Sequence, residues 1–189
     1  MQSNVSAHGM AVAPHHLASQ SAVAVLREGG SAIEAMVAAA ATIAVVYPHM
    51  NGLGGDGFWL IVPPEGEPIA IDASGAAGSL ATPQAYAGLA QIPHRGPQAA
   101  LTVAGTVSGW DEALRVSHSL SGKALPLARL LEDAIGYASD GIPVTASCPL
   151  ALLTTTPTLA WIESAELVNN TEYVPCSRSH GWPSIVKSG

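Results

Sequence analysis

The 189-residue chain is 48% hydrophobic and only 11% charged, and its length is typical of one domain or two small ones. Its 7 scattered Lys and Arg against 14 Asp and Glu give a net charge of -7, which excludes a basic surface for nucleic acid. The 2 cysteines, Cys148 and Cys176, exclude a disulfide framework, although one bridge between them stays open.

The first residues carry neither the basic region nor the apolar core of a signal peptide. The longest mostly apolar run, residues 35–47, is shorter than the ~20 residues that cross a bilayer. We therefore expect a cytoplasmic protein without membrane contact, with the periplasm as the alternative location.

Apolar spacing predicts one strand and two helices in the first quarter of the chain. Residues 10–13 form a short apolar stretch typical of a strand, and residues 16–30 repeat apolar side chains at helical spacing before a double glycine. Ser31 and Glu34 then form a capping-box pattern for a second helix, which stops before Pro48. Because this helix is apolar almost all the way round, it should lie between layers.

A glycine-dense loop, residues 48–57, separates this helical part from two predicted strands. The strands cover residues 58–62 and 69–72 and are joined by the turn sequence PPEGEP. A short helix is predicted over residues 83–89, and longer helices over residues 106–119 and 126–139. This order predicts mixed α and β layers rather than regularly alternating βαβ units.

Four stretches, taken in order, resemble the gamma-glutamyltransferase family. Residues 15–62 are similar to its N-terminal helix pair, its Pro-His turn and its glycine-rich loop leading into a strand, and Ile71-Asp72 follows. The third stretch reads LTVAGTVSGWDEAL, with Ala104 where the family has proline, and the fourth reads LPLARLLEDAIGYASDGIPVT. The order and spacing make the resemblance specific over residues 8–147.

The resemblance implies an α+β fold, the αββα sandwich of N-terminal-nucleophile hydrolases, of which this chain would hold an incomplete large-subunit part. It also implies a precursor that cleaves itself, so that the new N-terminal threonine of the small subunit attacks a gamma-glutamyl or related amide. Water or an amino acid would then take the acyl group. The implied partners are a small-molecule amide and a partner chain or second copy, with no metal or organic cofactor.

Three departures from the family pattern qualify this expectation. Ser74 occupies the place of an arginine that would bind the substrate's carboxylate, which favours the amidase and acylase branches over glutathione as substrate. The run Thr154-Thr155-Thr156 is followed by Pro157 rather than by the family's Thr-Thr-His pattern, so no catalytic residue is expected in this chain. Residues 1–147 are therefore predicted to be the family region, and residues 148–189 an irregular tail outside it.

Substrate contacts are predicted at Ser74 and at Gly54 and Gly55, whose lack of a Cβ atom permits close approach. For the glycines the alternative is a tight turn between helix and strand. The predicted function is that of a gamma-glutamyltransferase-like acyltransferase or hydrolase that is inactive alone. Two alternatives stay open: a non-catalytic remnant or binding module, and a small hydrolase that uses a serine or Cys148.

Overall fold

The computed structural model describes residues 5–94, 97–99 and 101–143, together with the pairs 173–174, 176–177 and 184–185. Two units are present: one is built from the described parts of Met1–Gly52 and Leu125–Gly189, and the other spans Leu53–Ala124. Of the tail predicted from residue 148, only three short strands are described. The run Thr154-Thr155-Thr156 and the thiol of Cys148 lie outside the described residues.

Helices dominate the first unit, and the second combines a hairpin with one long helix. The helices are α1 (His16–Arg27), α2 (Ala32–Val46), α3 (Thr106–Ser121), α4 (Leu127–Leu130) and α5 (Glu132–Asp140), with short 3-10 helices at Pro83–Tyr86 and Pro97–Ala99. The strands are β1 (Gly57–Ile61), β2 (Ile69–Ala73), β3 (Ile142–Pro143), β4 (Tyr173–Val174), β5 (Cys176–Ser177) and β6 (Ser184–Ile185). They pair antiparallel as β1–β2, β3–β4 and β5–β6.

Helix α2 is the centre of the first unit, with α1 on one side and α4 and α5 also packed against it. The predicted capping box starts it: Ser31 Oγ accepts the Glu34 N–H at 3.1 Å, and Glu34 Oε2 accepts the Ser31 N–H at 2.7 Å. Small residues let α1 and α2 approach closely, since Ala18 and Ala22 are fully buried and Ala38 is 2% exposed. The predicted burial of this helix between other elements is confirmed.

A buried pair of hydroxyl groups interrupts this alanine-rich seam. Thr42 Oγ1 donates to Ser21 Oγ at 3.0 Å, and Ser21 Oγ donates to the Leu17 carbonyl oxygen at 3.1 Å. Thr42 is fully buried and Ser21 is 2% exposed. Both hydroxyl groups are thus satisfied inside the helix pair, as buried polar groups must be.

The substitution Thr42→Val tests this hydrogen bond, because valine has nearly the same volume and cannot donate. We expect the free energy of unfolding to fall by about 1 kcal/mol, the usual net value of one buried hydrogen bond. Urea unfolding followed by circular dichroism would measure it. Thr82→Val is the matched control at an exposed threonine that makes no side-chain cap hydrogen bond. An equal loss in both variants would contradict the role of the pair.

The second unit packs α3 against one face of the β1–β2 hairpin. The register pairs Gly57 with Ala73 and Ile61 with Ile69, and Trp59, Ile61 and Ala73 lie on the more buried face. Gly109 of α3 permits this contact, because a Cβ there would lie 2.8 Å from the Ala73 Cβ and 3.4 Å from Trp59 Nε1. On the opposite face Phe58 and Leu60 are more than 70% exposed.

Two predicted elements differ from the structure. Residues 10–13 do not form a strand: Met10 and Val12 are exposed, and within the described part of the chain no other strand pairs with them. A strand depends on a hydrogen-bonded neighbour, which an isolated apolar run does not reveal. The helix predicted over residues 126–139 is divided at Leu131 into α4 and α5, although the Leu131 carbonyl still accepts the Ile135 N–H at 2.9 Å.

The other predicted elements are confirmed within a few residues. The predicted short helix over residues 83–89 is the 3-10 helix Pro83–Tyr86, and α3 runs to Ser121 instead of stopping at residue 119. Among the helices of the described ranges, none has both the length and the apolar character needed to cross a bilayer.

Candidate functional site

Two loops of the second unit meet at one end of the β1–β2 hairpin. Because the strands are antiparallel and Gly57 pairs with Ala73, the segment before β1 lies beside the segment after β2. Gly54 and Gly55 belong to the first segment and Ser74 to the second. The fold thus brings together on neighbouring loops the residues at which substrate contacts are predicted.

The first loop is fixed to the start of α3 through one carbonyl group. The Gly55 carbonyl oxygen accepts the N–H groups of Gly105 and Thr106, both at 3.0 Å, and the Thr106 hydroxyl at 2.8 Å. Thr106 Oγ1 also lies 3.1 Å from the Asp56 carbonyl oxygen. These hydrogen bonds hold the Gly55 carbonyl group, and with it the peptide bond to Asp56, in one orientation.

The second loop is fixed by close backbone contact with residues 103–105. A Cβ at Gly75 would lie 1.5 Å from the Val103 carbonyl oxygen, and one at Gly105 would lie 1.9 Å from the Ala73 carbonyl oxygen. The Val103 N–H also donates to the Ala76 carbonyl at 3.0 Å. Only glycine fits at positions 75 and 105, so these two residues set the path of the chain on both sides of Ser74.

Two carboxylates accept hydrogen bonds from the second loop. Asp72 Oδ1 accepts the Ser74 hydroxyl at 2.6 Å and the Ser74 N–H at 2.9 Å, and Asp56 Oδ1 accepts the Gly75 N–H at 3.3 Å. The Ser74 hydroxyl, followed by the Ser74 N–H, lowers the pKa of Asp72 below its usual range. At neutral pH, Asp72 is therefore an anion whose Oδ1 is directed at Ser74.

This arrangement decides what Ser74 can offer a ligand. Its hydroxyl proton is engaged by Asp72, so the free lone pairs of Oγ accept hydrogen bonds while the O–H is occupied. A carboxylate with a lowered pKa is a weak base, so Asp72 does not activate Ser74 as a nucleophile. Ser74 Oγ is therefore suited to accepting an N–H group.

The loop surface is open. Gly54, Gly55, Asp56, Asp72 and Ser74 are all exposed, and a Cβ added at Gly54 or Gly55 meets nothing within 4 Å. Room for a ligand thus exists beside both glycines, whereas Gly75 is already in contact with the protein. Substrate binding at Gly54, Gly55 and Ser74 stays a prediction.

Thr106 and Asp56 are not among the residues that the sequence predicts at the site, and residue 106 is predicted only to begin a helix. The one available signal was the antiparallel hairpin, which places residues before β1 next to residues after β2. Nothing in the sequence indicated that α3 would start at the same point.

No cluster of three or more His, Cys, Asp or Glu side chains able to hold a metal occurs within the part of the chain that the structure describes. The thiol of Cys148, considered above as an alternative nucleophile, lies outside that part.

Comparison with known proteins identifies relatives over most of the chain. A sequence profile of the Gamma-glutamyltranspeptidase family matches residues 18–175, which extends past the boundary predicted at residue 147. The chain is 86% identical over 145 residues to the oxamate amidohydrolase proenzyme of Klebsiella pneumoniae, covering 77% of this chain and 28% of that protein. It is 46% identical over 138 residues to the glutathione hydrolase-like YwrD proenzyme of Bacillus subtilis, covering 72% and 25%. The chain thus spans about a quarter of the length of these curated relatives.

Solved structures give the same result for the fold. Gamma-glutamyltranspeptidase from Helicobacter pylori superposes with a TM-score of 0.66 at 28% identity, covering 81% of this chain and 44% of that one. Cephalosporin acylase from Bacillus halodurans gives a TM-score of 0.62 at 33% identity, covering 71% and 24%. The predicted fold class, part of the N-terminal-nucleophile hydrolase fold, is confirmed.

Proposed function

The chain belongs to the gamma-glutamyltranspeptidase family, and from that membership we propose that it forms part of an amidohydrolase acting on short acyl amides of the oxamate type. The observation that carries this proposal is the 86% identity to a protein named an oxamate amidohydrolase proenzyme. The proposed reaction adds water to the amide carbonyl of oxamate, breaks the C–N bond, and yields oxalate and ammonium.

The loop chemistry supports a short amide over a gamma-glutamyl donor. A gamma-glutamyl group ends in an α-carboxylate, which an arginine fork would bind through two charged hydrogen bonds. Here Ser74 stands where the family resemblance implies that arginine, with the anion Asp72 bonded to it. The α-carboxylate of a gamma-glutamyl donor would meet negative charge there, whereas oxamate can direct its own carboxylate away and present its amide N–H to Ser74 Oγ.

Substrate binding and nucleophilic attack would be carried by different segments of the precursor. The loops around Gly54, Gly55 and Ser74 would hold the substrate, since they are exposed and fixed by backbone bonds. The nucleophile would be the N-terminal threonine that the family resemblance implies, supplied by another segment after self-cleavage. Within the 189 residues the only Thr-Thr run, at 154–156, is followed by proline, so we expect these residues alone to release no ammonium from oxamate.

A chimera tests the assignment directly. Residues 1–147 of this chain would replace the matching N-terminal segment of the Klebsiella pneumoniae proenzyme, which is 86% identical over 145 residues. We expect self-cleavage into two chains and oxamate hydrolysis within about tenfold of the parent rate, because most residues are unchanged. Ammonium release and oxalate formation are the two measurements.

The outcomes separate the candidate functions. A processed chimera that cleaves gamma-glutamyl-p-nitroanilide but not oxamate would contradict the proposed substrate class. A chimera that folds and cleaves neither compound would favour the alternative of a non-catalytic module. Ammonium released by the 189 residues alone would contradict the division of chemistry between segments.

Within the chimera, Ser74→Ala should lower kcat/KM for oxamate about tenfold, the effect of one lost hydrogen bond to the substrate. Ser74→Arg should lower it further while raising the relative rate with gamma-glutamyl-p-nitroanilide, because a guanidinium can pair with that donor's carboxylate. Ser79→Ala changes an exposed serine on the following segment and should leave both rates unaltered. Equal rates for Ser74→Ala and Ser79→Ala would contradict a substrate contact at Ser74.

A further inference from the structure

Four aromatic side chains meet where α1 begins and α2 ends. The His15 ring stacks on the His16 ring at a centroid distance of 4.6 Å and lies 6.4 Å from the Tyr47 ring. Tyr47 is the C-cap residue of α2, and its ring contacts His49 at 4.2 Å. The cluster of three imidazole rings and one phenol ring therefore joins the two ends of the helix pair.

His15 also caps α1. It is 4% exposed, and its Nδ1 accepts the N–H of Leu17 at 3.3 Å in the N-cap position of a 12-residue helix. An imidazole can accept this bond only while Nδ1 carries a lone pair. Protonation turns Nδ1 into a donor that faces another donor, so it removes the cap and adds a buried charge.

We propose that His15, with His16, Tyr47 and His49, forms a pH-sensitive latch between the start of α1 and the end of α2. In the closed state, neutral His15 accepts the Leu17 N–H through Nδ1. Protonation of His15 removes this hydrogen bond, and the latch opens. Tyr47 faces His15 from the end of α2, with His49 on Tyr47, and His16 faces His15 from α1. This inference concerns the first unit alone and does not depend on the proposed enzymatic function.

The electrostatics set the direction of the response. Burial, and then the neighbouring His16, lower the pKa of His15 from its ordinary value of 6.5. The folded state therefore binds the proton less readily than the unfolded state does. The stability that the latch contributes is fully present above pH 6.5 and is lost as the pH falls through the lower folded pKa. At neutral pH the latch is closed.

Hydrogen exchange at the Leu17 amide reports the cap, and the ring signals of His15 report its protonation. After correction for the intrinsic exchange rate, we expect Leu17 protection to fall about fivefold as the pH is lowered from about 7.5 through the His15 midpoint, the ratio that corresponds to a typical N-cap. The fall should follow the His15 titration curve. His15→Asn, whose side chain caps helices without titrating, should show no such fall.

His16→Gln provides a second test because it removes the neighbouring imidazole that lowers the His15 pKa and leaves the cap in place. We expect the His15 midpoint, and with it the loss of Leu17 protection, to move to higher pH. Titration of His15 in the wild type without any change at Leu17 would overturn the proposal, even if His15→Asn failed to fold. An unchanged pH dependence in a folded His15→Asn variant would also overturn it.

Discussion

Gly75→Ala should lower the free energy of unfolding by about 3 kcal/mol or more, because the new methyl group has no space. Its Cβ would lie 1.5 Å from the Val103 carbonyl oxygen and 2.5 Å from the Val103 carbonyl carbon. Both neighbours are backbone atoms, which cannot turn away as a side chain can. The segments around residues 75 and 103 would have to separate, which would also break the bond between Val103 N–H and Ala76.

Urea unfolding of the 189-residue chain, followed by tryptophan fluorescence, measures this loss, since Trp59 and Trp110 report on the second unit. Gly78→Ala is the matched control, because a Cβ at Gly78 meets nothing within 4 Å. Gly105→Ala should behave like Gly75→Ala, since its Cβ would lie 1.9 Å from the Ala73 carbonyl oxygen. A Gly75→Ala protein as stable as Gly78→Ala would show that the loops are not in such contact.

Glu34→Ala is the second substitution with a large expected effect. Glu34 is 4% exposed, and its carboxylate accepts two backbone N–H groups: Ser31 on Oε2 at 2.7 Å and Leu125 on Oε1 at 2.6 Å. It therefore caps α2 and also holds the segment that leads into α4. Removing the carboxylate leaves two N–H groups without this partner, which should cost about 3 kcal/mol.

Two controls separate the roles of Glu34. Ser31→Ala removes only the hydroxyl half of the capping box and should cost about 1 kcal/mol. It should leave the Leu125 amide protected from hydrogen exchange, whereas Glu34→Ala should expose that amide. Glu34→Gln should be intermediate, because the amide group keeps one acceptor oxygen and places an N–H donor at the other position. Full Leu125 protection in Glu34→Ala would contradict the second role.

Local patterns predicted helix α2 of the first unit and the hairpin that carries the candidate site in the second. Ser31 and Glu34 carry the capping box in their spacing, and two short strand-like runs joined by a turn sequence indicate the β1–β2 hairpin. From the hairpin it follows that Gly55 and Ser74 lie on neighbouring loops. These features depend on residues close together in the chain, which is why they could be predicted from the sequence.

The remaining features depend on contacts between distant residues. Glu34 bonds to Leu125, 91 positions away, and Thr106 bonds to Gly55, 51 positions away, with no sequence pattern linking either pair. In the sequence, Gly75 cannot be distinguished from an ordinary loop glycine; only the fold shows that the Val103 backbone packs against it. Likewise, the orientation of the Ser74 hydroxyl group depends on the position of Asp72 Oδ1, which accepts its hydrogen bond. Spacing alone determines none of these contacts.

The seam between α1 and α2 affects how mutagenesis of the first unit should be interpreted. Ala18, Ala22, Ala38 and Ala39 are each at most 3% exposed, so these buried positions have only a methyl group to lose. Larger side chains would force the helices apart, at a typical cost of 1–3 kcal/mol each. Alanine scanning, the usual route to a hydrophobic core, leaves such positions unchanged, so a scan with valine or leucine is the one that would reveal them.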